Sequence, residues 1–271
     1  MKNTKSYKSF IKSPYKSIKH NTYFELYDHF FNKYRKKKIT FVEIGVLNGG
    51  SLFMWRDYFG SKARIIGIDL NPDAKKWENY GFEIFIGNQS DKNFWAKFIK
   101  KIGNIDIVLD DGGHTYEQQI TTVESLINHI NNNGIIVTED THTSYMSGYG
   151  PKSKSFIKYT NLLIDRINMR FKKFENKKSE KRIWTIEIAE SMVAFRRNTN
   201  ASYLISKAAD NNKKDFKAVD FKYADNKAIL LSEKIGDFLW PLRYLPFSKY
   251  FSKLIRKKLG NRKFNANEYF K

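Results

Sequence analysis

The chain has 271 residues, no cysteine, 41% hydrophobic residues and 16% aromatic residues. That length and apolar content suit a globular chain with a full core rather than a disordered one, and the missing cysteines exclude disulfides and thiolate metal sites. The formal net charge of +21 is uneven: residues 1–38 and residues 201–271 each carry +9, and residues 39–200 only +3. Basic ends of this kind suit an anionic partner (a phosphorylated substrate, a membrane surface or nucleic acid) or are simply solvated faces. The first twenty residues hold no apolar core of signal-peptide length, and no run approaches the roughly 18 apolar residues of a membrane span. The expectation is a soluble cytoplasmic protein, with peripheral membrane contact through the basic ends as a further expectation.

In chain order, the first twenty residues are basic and lack periodicity. Thr22 and Glu25 then form a capping-box pattern, and Tyr23, Leu26, Tyr27, Phe30, Phe31 and Tyr34 recur at helical spacing, so one face is buried. Strands are predicted at Ile39–Ile44, Arg64–Leu70, Gly81–Gly87, Ile105–Asp111 and Gly134–Asp140. Helical stretches separate them: one capped by Ser51, one carrying Phe94, Trp95 and Phe98, and one with Ile120, Val123, Leu126, Ile127 and Ile130, ended by residues 131–134. A helix over 156–171 and a hairpin of Arg182–Ile188 and Ser191–Arg197 follow. Strands alternating with helices predict an α/β, doubly wound, mainly parallel sheet, with the hairpin adding an antiparallel edge. The expected organisation is a basic N-terminal extension with a cap helix (1–38), a catalytic domain (39–200) and a basic, partly helical C-terminal extension (201–271). In that extension Ser248 is a candidate cap for a last amphipathic helix, suited to an anionic membrane surface or to packing on its own domain or a subunit partner.

In a parallel sheet the carboxyl ends of the strands share one edge, and ligands bind in the crevice there. Two neighbouring strands end on acids, IDIVLDDGGH at Asp110, Asp111 and His114, and GIIVTED at Glu139 and Asp140, with His142 beyond. Few Lys or Arg interrupt these segments, and clustered carboxylates repel unless one protonates or a cation binds. Oxygen donors without cysteine point to Mg²⁺, Mn²⁺ or Ca²⁺. Side chains alternate along a strand, which assigns Asp110 to the cofactor side and Asp111 to the metal. His114 stands where a general base meets a hydroxyl held at the metal, and His142 is a candidate for orienting substrate or a ligand. His20, His29 and His129 are expected at the surface or core edge.

The first strand runs into a glycine turn, Glu43, Gly45, Asn48, Gly49, Gly50 and Ser51. Its spacing departs from the dinucleotide fingerprint and suits a nucleoside that carries an amino acid and no phosphate. Asp69, about 20 residues on, is placed to bond ribose hydroxyls, or else caps the turn before Asn71-Pro72. Gln89, Ser90 and Asp91 are candidates for the adenine edge, or for a helix N-cap.

The runs EIGVLNGGSLFMWRDYF, IGIDL, GNQSD, LDDGGHTYEQQ and VTEDTHTSY resemble the class I S-adenosylmethionine-dependent methyltransferases, and more narrowly the metal-dependent sugar O-methyltransferases of the macrocin and mycinamicin type, over roughly residues 20–198. The resemblance implies a Rossmann-like sheet of order 3-2-1-4-5-7-6, and S-adenosylmethionine and Mg²⁺ (or Mn²⁺) as cofactors. It also implies Asp111, Glu139 and Asp140 as metal ligands, His114 as catalytic base, and Glu43, Gly45, Asp69, Gln89 and Ser90 around the cofactor. The expected acceptor is a sugar hydroxyl of a nucleotide-linked or surface-polysaccharide sugar, anionic in character. A catechol-like or natural-product acceptor is the alternative. RNA is disfavoured, since an RNA enzyme needs no carboxylate metal cluster and usually shows an appended RNA-binding module. A homo-oligomer is left open.

Overall fold

The computed structural model describes residues 1–214 and 234. The expected helix from Ser248 and the aromatic stretch before it lie outside the described residues. The chain divides into two units, Met1–Lys207 and Ala208–Lys271.

The first unit is built on a seven-stranded sheet of order β3-β2-β1-β4-β5-β7-β6. Its strands are β1 (Thr40–Ile44), β2 (Arg64–Asp69), β3 (Glu83–Ile86), β4 (Ile105–Asp110), β5 (Ile130–Thr138), β6 (Thr185–Ala189) and β7 (Met192–Arg196). Strands β1 to β5 pair in parallel, and β7 joins β5 antiparallel with β6 outside it. This is the doubly wound sheet with an antiparallel hairpin that the sequence predicts.

Period-two alternation divides each strand between two apolar layers. Phe41, Ile65, Ile107, Leu109, Ile135 and Val137 face one layer, under α2 (Tyr23–Phe31) and α3 (Gly50–Phe59). Val42, Ile44, Ile66, Ile68, Val108 and Ile136 face the other. That second layer is covered by α4 (Lys92–Ile102), α5 (Tyr116–Leu126) and α6 (Phe156–Asn168). The first layer is unusually aromatic: Tyr27, Phe31, Phe41, Trp55 and Phe59 are all buried and in ring contact.

Four local expectations are corrected. Residues 5–12, read as aperiodic, form α1 (Lys5–Lys12), capped by the Thr4 hydroxyl. Thr22 makes no side-chain cap, and Glu25 accepts from the N-terminal ammonium instead. Gly49, not Ser51, is the N-cap of α3, in the left-handed region at φ 73°. Strand β5 begins at Ile130 rather than Gly134, because residues 130–133 continue the chain along β4 through a register shift.

Candidate active site

The register of the sheet decides which acids meet. Glu43 pairs with Leu109, and Ile44 with Asp110 and Asp110 with Thr138. Glu43, Asp111 and Glu139 therefore lie on one face, and Asp110 on the other.

On the second face, the Gln89 amide nitrogen donates to Asp110 Oδ1 at 2.9 Å and to the Thr122 hydroxyl at 3.2 Å, while Gln89 Oε1 accepts from the Gly113 amide at 3.0 Å. Burial pushes the Asp110 carboxyl up to about 6, and its Oδ2 has no partner. Gln89 is buried with it, Ser90 is half-buried, and Asp91 caps α4 by accepting from the Asn93 amide at 2.8 Å.

On the first face, Glu43 is buried and accepts from the Ser51 hydroxyl at 2.7 Å and the Trp55 indole at 3.0 Å. Burial raises its carboxyl to about 7. Gly45 follows at φ 90°, and a Cβ there would stand 2.0 Å from the Asp111 carbonyl. Only glycine allows β1 to turn this close to the end of β4. Asp69 Oδ2 accepts from the Val46 and Leu47 amides at 2.8 and 2.9 Å, and Oδ1 from the Asn71 amide, so it braces the turn from β2. Asn48 is exposed at its tip.

The acids of β4 and β5 converge on one volume. His114 Nε2 lies 3.4 Å from Asp140 Oδ2 and 3.9 Å from Asp111 Oδ1. Asp111, His114 and Asp140 each offer an atom within 4.8 Å of the others, so the carboxylates bring hard oxygens that fit a divalent cation to a volume the imidazole borders. His114 and Asp140 both take positive φ, 57° and 54°, a conformation that Asp and His adopt more readily than most residues. The Thr143 hydroxyl donates to the His114 carbonyl at 3.1 Å and holds the two loops together. His142 pairs with Ser191 at 2.7 Å and approaches Asp140 only to 4.0 Å.

Glu139 stands apart from that trio. It is 1% exposed, accepts from the Tyr27 hydroxyl at 2.6 Å, and is held well above the usual carboxylate range by burial. Tyr23, one turn earlier on α2, donates to Asp140 Oδ1 at 2.5 Å. These two hydroxyls and Lys19 are the residues that sequence reasoning missed. The tyrosines were legible as a buried i, i+4 pair, and their hydroxyls point at the two acids of VTED. Few Lys or Arg interrupt the acid-tipped segments themselves, but Lys19 reaches the acids from outside them: its ammonium sits 2.5 Å from Asp111 Oδ2, 3.3 Å from Glu139 Oε2 and 3.9 Å from Glu43 Oε1. Burial alone would lower its pKa, but the three carboxylates win and raise it. His20, expected at the surface, is exposed but reaches to 3.9 Å from Asp140.

Residues 42–141, from within β1 to Thr141, match a family model described as a methyltransferase domain. The chain is 36% identical over 132 residues to 8-demethyl-8-(2-methoxy-alpha-L-rhamnosyl)-tetracenomycin-C 3'-O-methyltransferase of Streptomyces olivaceus, a match covering 46% of this chain and 33% of that protein. It is 33% identical over 134 residues to demethylmacrocin O-methyltransferase of Streptomyces fradiae, covering 47% and 33%. The chain thus spans about a third of the length of these curated relatives. Among solved structures, the MycE methyltransferase of the mycinamycin biosynthetic pathway, in complex with Mg, SAH and mycinamycin VI, superposes with a TM-score of 0.60 at 26% identity, covering 69% of this chain and 52% of that one. Residues 42–141 thus match a methyltransferase domain, the sheet is Rossmann-like, and the chain resembles the metal-dependent sugar O-methyltransferases of the macrocin and mycinamicin type.

Proposed function

We propose that the chain is an S-adenosylmethionine-dependent, Mg²⁺-assisted O-methyltransferase acting on a sugar hydroxyl. The observation that carries this reading is the meeting of Asp111, His114 and Asp140 at the carboxyl ends of β4 and β5, one strand away from the glycine turn of β1. The name of one relative, the rhamnosyl-tetracenomycin-C 3'-O-methyltransferase, supports a sugar acceptor.

The cofactor is assigned to the crevice at the Gly45–Gly50 turn, with Asp69 beside the ribose and Gln89 and Ser90 towards the base. Asp69 Oδ1 and Oδ2 each take backbone amides and keep lone pairs for hydroxyl donors. Asp111, Glu139 and Asp140 would hold the metal, whose chemistry when bound is to lower the pKa of a coordinated hydroxyl. His114 Nε2 faces the same volume and accepts the acceptor's proton. Asp140, 3.4 Å away, stabilises the imidazolium that results. Tyr23 and Tyr27 fix the acids from α2, and the buried wall of Trp55 and Tyr27 keeps water from that side.

The excess charge at the chain's two ends supports an anionic acceptor, a nucleotide-linked or surface-polysaccharide sugar, and a peripheral contact of those ends with an anionic membrane. Among the described residues no helix is long and apolar enough to cross a membrane. Transfer of labelled methyl from S-adenosylmethionine should be measured on nucleotide sugars, glycosylated natural products and catechols, with and without Mg²⁺. Methylation of a sugar by the wild type, lost in His114→Ala, is the expected outcome; methylation of catechols alone would select the small-molecule alternative.

A further inference from the structure

Residues 13–20 form a strap between α1 and α2, and it runs over the cofactor end of the sheet. The Ser13 hydroxyl donates to the Gly50 carbonyl at 2.7 Å. The Tyr15 ring packs on Phe53 and Trp77, and its hydroxyl meets that of Tyr80 at 2.7 Å. The carbonyls of Tyr15 and Lys16 lie so close over Gly50 that a Cβ there would come within 2.3 and 2.5 Å of them. The strap's residues are exposed or half-buried, so it lies on the surface of the fold. Its far end is Lys19, whose side chain is only 2% exposed and whose ammonium is inserted among Asp111, Glu139 and Glu43.

A lysine in this position neutralises part of a cluster that otherwise repels itself. It also takes Asp111 Oδ2 and Glu139 Oε2. A Mg²⁺-sized ion bound by those same oxygens would sit about 2.0–2.1 Å from each, in the space that the ammonium fills, and two cations do not share it. We propose that Lys19 is a resident cation that the divalent metal displaces from Asp111 and Glu139, so that metal uptake unlatches residues 13–20 from the cleft. This rests on the reading of Glu139 as a metal ligand. An ion held only by Asp111 Oδ1, His114 and Asp140 would leave Lys19 in place.

The test uses the full wild-type chain without S-adenosylmethionine. Mn²⁺ binding is first established by water-proton relaxation. The amines are then acetylated briefly with and without saturating Mn²⁺, and modification of Lys19 is read by mass spectrometry against exposed Lys12. Mn²⁺ should raise the relative reactivity of Lys19 about tenfold or more, and Lys19→Met should bind Mn²⁺ more tightly by a similar factor. Mn²⁺ binding with Lys19 still protected overturns this proposal and leaves the methyltransferase reading standing. Failure of the wild type to bind Mn²⁺ overturns both the displacement and the metal assignment beneath it.

Discussion

Tyr27 donates its hydroxyl to Glu139 at 2.6 Å, and both side chains are buried. A helix outside the strand–helix repeat thus fixes an acid at the end of β5. Tyr27→Phe keeps the ring in its aromatic cluster and leaves Glu139 Oε1 without this donor. An unpaired buried polar atom costs about 1–3 kcal/mol. Denaturant unfolding should record a loss in that range, with metal affinity lowered as the carboxylate loses its orientation; unchanged stability and affinity would show that the hydroxyl does not position Glu139.

Glu43 links stability to pH. Its carboxyl rises from an ordinary 4.5 to about 7 because it is buried. Between those values the folded chain holds a proton that the unfolded chain has lost, so stability falls as pH rises. The contribution is fully present below 4.5 and gone above about 7, a span worth up to about 3 kcal/mol. Glu43→Gln keeps an acceptor for Ser51 and Trp55 and removes the titration. Its melting temperature relative to wild type should therefore be more favourable at pH 8 than at pH 4.5. An equal difference at both pH values would contradict the burial argument.

Gly45→Ala is expected to damage the cofactor turn more than an ordinary surface change. The new methyl would meet the Asp111 carbonyl at 2.0 Å, on a backbone at φ 90°. Strained backbone of this kind costs on the order of 1–3 kcal/mol before the clash is counted. Calorimetry should show weakened S-adenosylhomocysteine binding alongside a lower melting temperature. Binding at wild-type strength would mean that the crevice lies elsewhere.

The sheet was legible because each strand's apolar run is bounded by turn residues, and in both β4 and β5 the acids stand directly at the end of the apolar run. The alternation that separates Asp110 from Asp111 was legible for the same reason. Cap assignments failed where tertiary contacts outbid local ones: Ser51 turns inward to Glu43, and Gly49 takes the cap by its left-handed backbone. Tyr23 and Tyr27 were visible as a buried face, but spacing alone does not say where a hydroxyl points. Lys19 left no signal at all. It is one of many lysines in a basic segment, and its partner Asp111 lies 92 residues away, so only the path of the strap brings it to the acids.

In the proposed function Asp111 joins a metal site beside a separate cofactor crevice. Titrating S-adenosylhomocysteine and Mg²⁺ in turn into the wild type and into Asp111→Ala tests it directly. The wild type should bind both ligands, and Asp111→Ala the cofactor product alone. A wild type that binds neither, or an alanine variant that binds Mg²⁺ as tightly as the wild type, would contradict it.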